Sequence, residues 1–78
     1  MYDINKLRKE LAESPKQLEL LNLIHLQIAN KQTNKKVTII VPKSGYSQKI
    51  KKKIIHMMGY KIPYDKIYGD EILIIKQD

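Results

Sequence analysis

Lys49, Lys52, Lys53 and His56 stand three, four and seven residues along from the first of them, the spacing that gathers side chains on one face of a helix. Three ammonium groups and an imidazole on one face can contact phosphates. Each phosphate neutralised in this way releases condensed counterions, so affinity falls steeply with salt. A surface helix with no such role also turns charged residues to water opposite its core. What sets this face apart is its surroundings. From Leu20 to Tyr64 the chain holds nine lysines and no Asp or Glu. That stretch carries +9 and the remainder −2, giving the formal net charge of +7. Segregated charge of this kind favours polyanions such as nucleic acid, or an acidic protein surface. Fourteen of the fifteen basic residues are lysine. Lysine acts on phosphate as a point charge, whereas guanine edges are read by arginine, so backbone contacts are expected in place of base reading.

The turn Pro42-Lys43-Ser44-Gly45-Tyr46-Ser47-Gln48 leads into the same helix. Free N–H groups at a helix start, a glycine, two hydroxyls and Lys43 could cradle a phosphate. The turn has neither a Walker nor a G-x-G-x-x-G pattern, so nucleotide hydrolysis is not expected. Its main expected role is a serine cap, from Ser44 or Ser47. Tyr46, beside Lys43, is the tyrosine best placed to stack on a base. Tyr60, Tyr64 and Tyr68 are expected to pack at sheet edges. Lys35 and Lys36 would flank the binding face.

Catalysis has little support. His25 lies among leucines and reads as a core or interface histidine. His25 and His56 lack metal-ligand spacing, and the chain has no Cys, so neither thiolate metal sites nor disulfides are open to it. Asp65, Asp70 and Glu71 cluster near a turn without visible partners for a metal. The expectation is a protein that is not an enzyme and takes no cofactor and no metal.

These side chains need a scaffold, and 78 residues allow one small domain with a marginal core. Residues 3–13 read as a helix capped by Asp3. Ser14-Pro15-Lys16-Gln17 restarts a second, with Gln17 completing a capping box and the helix running from Pro15 to about Asn30. Leu20, Leu21, Ile24 and Ile28 form its main stripe, while Leu23 and Leu26 point elsewhere. Lys36–Val41 is β-branched and reads as a strand ended by Pro42. The third helix ends at Met58 with Gly59 as its C′ residue. Its core stripe is expected to be Ile50, Ile54, Met57 and Met58, with Lys51 at the boundary. Tyr60–Ile62 suggests a short edge strand. Lys66–Tyr68 and Glu71–Lys76 flank Gly69-Asp70 as a hairpin with a type II′ turn. The order α-α-β-α-β-β predicts an α+β (mixed α/β) domain: a three- to four-stranded sheet with helices packed on it and strands 37–41 and 72–75 at its centre. A helical N-terminal part, 1–31, precedes a basic β-α-β-β part, 36–78.

A second functional reading comes from the other half of the chain. Ile4, Leu7, Leu11, Ser14, Leu18, Leu21, His25 and Ile28 fall at heptad positions, although Pro15 argues against one straight coiled coil. Two helices packing on the sheet are the expected use of that pattern, and it is the extra face of Leu23 and Leu26 that suggests a protein-interaction module: a homodimer, or a small inhibitor of a nucleic-acid-processing machine, with lysines steering it to an acidic surface. No apolar run is long enough to span a membrane, and Met1–Lys6 has no apolar signal core, so a cytoplasmic protein is expected. The Lys, Ile and Asn bias fits a low-GC genome or its phages.

Overall fold

The computed structural model describes residues 2–30, 35–63 and 70–77. Three helices and a three-stranded antiparallel sheet follow in the order α-α-β-α-β-β. Residues 31–34, the strand expected over Lys66–Tyr68, and Tyr64, Asp65 and Gly69 lie outside the described residues.

Helix α1 spans Ile4–Glu10, and the Asp3 carboxylate accepts from the N–H groups of Asn5 and Lys6. It ends three residues before the expected Glu13, in a turn that reaches Ser14. Ser14 precedes Pro15, whose ring disfavours helical backbone at that position, and it lies at φ −122°, ψ 81°. Helix α2, Pro15–Ala29, therefore starts with proline in its first turn, as expected, but without the capping box: the Ser14 side chain makes no cap bond. Gln17 is used elsewhere, its Oε1 accepting from Lys53 Nζ at 3.0 Å.

Strand β1 is Lys36–Ile40, helix α3 Gln48–Met57, β2 Tyr60–Lys61 and β3 Glu71–Lys76. The sheet order is β1-β3-β2, with both outer strands antiparallel to β3. β1 and β2 thus run in the same direction with β3 inserted between them, a split β-α-β unit around α3. β3 is central as expected, whereas β1 is an edge strand and not part of the centre. Its apolar look has another source. Val37 and Ile39 face the helices, while Ile40 is left 57% exposed on the other side. The bonds of Lys35 and Val41 to β3 set the ladder register, so Lys36, Thr38 and Ile40 turn their backbone groups to the outer edge. At Ile40 a side chain stands in for a neighbouring strand. Gln27 Nε2 donates to the Ile40 carbonyl at 2.8 Å, and Gln27 Oε1 accepts from the Ile40 N–H at 2.7 Å. A polar group from α2 thereby closes part of an edge that could otherwise template strand pairing.

α2 packs on β1 and α3 on β2, and the two helices touch each other over one face of the sheet. The core between them contains Leu20, Leu21, Ile24, Ile39, Ile54, Ile55, Ile72 and Ile74, all at 1% exposure or less. The register of α3 departs from expectation. Its buried face is Lys51, Ile54, Ile55 and Met58, while Ile50 and Met57 are half-buried. Lys51 is 2% exposed. The i, i+3, i+4, i+7 pattern runs through a lysine, a residue whose four-carbon stem is itself apolar. Ser47, not Ser44, caps α3, its Oγ accepting from the Ile50 N–H at 3.2 Å. Gly59 follows at φ +82°, the left-handed conformation expected of a C′ glycine.

Candidate functional site

Because Lys51 turns inward, the opposite side of α3 is set. Lys49, Lys52, Lys53 and His56 stand exposed on it. Gly59 reverses the chain so that β2 runs back beside the helix, and a groove of about 470 Å³ opens between them. Lys49, Lys52, Lys53 and His56 line one wall, and Tyr60, Lys61 and Ile62 the other, with Ile55 also reaching it. No carboxylate is among the described residues that line it. Four lysines lining one concavity concentrate positive charge beside it, which draws anions in and steers their approach.

Two of the groove side chains are held. Lys53 donates to Gln17 of α2, which fixes its long stem. His56 is held through Gln77, just beyond β3. Gln77 Nε2 lies 2.9 Å from the Tyr60 carbonyl and 3.1 Å from His56 Nδ1, and the Gln77 N–H donates to the Gly59 carbonyl at 2.8 Å. Tyr60 is buried and contributes no exposed ring for a base to stack on.

The remaining expected residues sit apart from the groove. Lys43 and Ser44 are exposed on the turn between β1 and α3. The backbone N–H of Lys43 is already engaged, donating to Asp70 Oδ1 at 2.7 Å. Tyr46 is half-buried against the core; its hydroxyl donates to Glu19 and its ring lies under Lys16 Nζ, 5.3 Å from the centroid. The bond to Glu19 first, then burial and the Glu19 charge, push the Tyr46 phenol up to about 12. Two acids distant in sequence therefore close on this turn. Lys35 and Lys36 begin β1 on the far edge of the sheet. Even so, the register Lys36–Ile75–Lys61 places Lys36 across β3 from Lys61, roughly 10 Å away at two strand spacings.

Lys61, which lines the groove, and Gln77, which holds His56, are polar residues that sequence reasoning did not single out. Lys61 could have been found from its place just after the C′ glycine, where the chain must turn back along α3. Gln77 carries no local signal, because its role depends on β3 pairing with β2. Of the proposed partner face, Leu26 is 65% exposed on α2, whereas Leu23 is half-buried and packs against the core. His25 is half-buried, its Nδ1 2.6 Å from the Tyr2 hydroxyl. Burial, and then the neighbouring Tyr60, raise the Tyr2 phenol above its usual range. No group of metal-ligating side chains is found among the described residues, and no helix there is long and apolar enough to cross a membrane. No family model, curated protein or solved structure matches this chain.

Proposed function

We propose that this protein is a non-catalytic nucleic-acid-binding module, accessory or regulatory in role, that grips the phosphate backbone with the groove between α3 and β2. The observation that supports this reading is the convergence of Lys49, Lys52, Lys53, His56 and Lys61 on one concavity with no carboxylate among its described lining. The buried state of Tyr60 supports phosphate contacts over base stacking, and with it weak sequence preference. The test is fluorescence anisotropy with labelled single- and double-stranded DNA and RNA over a salt series. Wild type is expected to give a straight line of log affinity against log salt. Replacing Lys49, Lys52 and Lys53 by Ala is expected to lower affinity about a hundredfold at low salt. The slope should flatten by about 0.7–0.9 for each phosphate that is no longer neutralised. Equal binding by wild type and variant would show that the groove is not the binding surface.

A second reading keeps one observation of its own. Among the described residues, Leu26 and Ile40 are large apolar side chains left open, at 65% and 57%. They sit on α2 and β1, which Gln27 ties together. A protein partner covering them, or a second copy of this chain, would bury apolar surface that water now meets. Sedimentation of wild type and a Leu26→Ser variant checks self-association. Monomeric behaviour of both at all concentrations removes the second copy.

A further inference from the structure

The hydrogen bonds around Gln77 favour one arrangement of the His56 ring nitrogens. The Tyr60 carbonyl can only accept, so the Gln77 atom 2.9 Å from it must be the amide nitrogen. That same nitrogen lies 3.1 Å from His56 Nδ1 and has a second hydrogen to give. With Nδ1 as the acceptor, the ring's proton sits on Nε2. Nδ1 is occupied and the ring lines the groove, so Nε2–H is the nitrogen left to a ligand. Gln77 is in turn fixed at both ends, by the backbone bond to Gly59 and by the side-chain bond to Tyr60.

We infer that His56 gives the groove a neutral, directional Nε2–H donor for a non-bridging phosphate oxygen, and that Gln77 is the positioning residue that sets its tautomer and aim. This inference rests on the phosphate-binding reading of the groove and deepens it. The four groove lysines act on phosphate as point charges. His56 supplies a bond with a fixed direction, of the kind that sets the register of a backbone along a groove.

The test uses the full chain and a labelled single-stranded oligodeoxynucleotide at neutral pH. His56→Ala is expected to weaken binding roughly five- to tenfold, the loss of one hydrogen bond to a charged acceptor. The slope of log affinity against log salt should stay as in wild type, because a neutral donor displaces no counterion. Gln77→Ala should weaken binding by a smaller factor, and by none at all in a His56→Ala background, since it acts through the ring. Imidazole ¹⁵N spectra should show a bare Nδ1 in wild type and a protonated Nδ1 in Gln77→Glu, where the partner becomes an acceptor. A slope reduced by about 0.7–0.9 in His56→Ala means the ring binds as a cation and overturns the tautomer. A protonated Nδ1 in wild type overturns the role of Gln77, and so does a Gln77→Ala loss that persists without His56. Unchanged affinity in His56→Ala, with the lysine variant still weakened, overturns the donor and leaves the phosphate reading standing. If the lysine variant binds as wild type does, the phosphate reading itself fails.

Discussion

The turn entering α3 and the groove along its side belong to one acid-free stretch of sequence, yet the fold treats them in opposite ways. At the turn, Asp70 arrives from the start of β3 to take the Lys43 N–H, and Glu19 arrives from α2 to take the Tyr46 hydroxyl. In the groove four lysines and His56 stand with no carboxylate among the described residues around them. Both regions look alike along the chain, with lysine, tyrosine and a helix to hold them. Distant acids distinguish them. A charge run in sequence can serve as a binding surface only where the fold leaves it uncompensated, and the groove beside α3 is where we propose that it does.

Placing an acid in the groove should break the contrast most severely. Lys52→Glu gives the groove what the turn already has. The expected result is a loss of nucleic-acid affinity on the order of a hundredfold at low salt, with a flatter salt slope and a folded protein by circular dichroism. The same substitution at exposed Lys43, where Asp70 already sits, should cost less than tenfold. Equal losses at the two positions would mean that the turn contributes as much as the groove.

The next effect concerns which lysine belongs to which region. Lys51→Ala removes buried stem methylenes and should cost about 2 kcal/mol of stability in urea unfolding, at about 0.8 kcal/mol for each buried CH₂. Lys51→Met restores the volume and should stay within about 1.5 kcal/mol of wild type. Both should bind nucleic acid with the wild-type salt slope, unlike any change at Lys49, Lys52 or Lys53. A changed slope in Lys51→Met would return that ammonium group to the binding face.

Tyr46 allows a finer check on the closed turn. Its hydroxyl is held to Glu19, and its titration is pushed up to about 12 from the ordinary 10. A phenol raised in the folded state contributes stability that is complete below about 10 and is lost as pH rises through about 12. Tyrosinate absorbance should therefore show a late phase that disappears in Tyr46→Phe and moves down in Glu19→Ala. A Tyr46 that titrates near 10 in the wild type would mean that the turn is not closed by Glu19, and the contrast would lose half its basis.

Much of this architecture was legible from the chain. Asp3 as a cap, Pro15 at the start of α2, the stripe Leu20, Leu21, Ile24 and Ile28, and Gly59 behind α3 are all local signals, and each stands where the pattern put it. The grouping of Lys49, Lys52, Lys53 and His56 on one face was legible for the same reason, since helical spacing needs no tertiary information. What was not legible depends on contacts across the fold. A rule that assigns charged residues to water placed Lys51 at the boundary, although Ile54, Ile55 and Met58 point the i, i+3, i+4, i+7 pattern back to it. β1 reads as a central strand from its Val and Ile content, because nothing local reveals that Gln27 closes its outer edge. Ser14 reads as a capping box with Gln17, which the fold instead gives to Lys53. Gln77 reaches His56 only through the pairing of β2 with β3.

The most direct test of phosphate binding in the groove is amide chemical-shift mapping of the ¹⁵N-labelled protein titrated with a short single-stranded oligonucleotide at low salt. Shifts should concentrate at Lys49, Lys52, Lys53, His56, Lys61 and Gln77, with Lys43 to Tyr46 and the Leu26/Ile40 edge nearly still. Shifts centred on the Lys43–Tyr46 turn or on Leu26 and Ile40, with the groove unmoved, would contradict it.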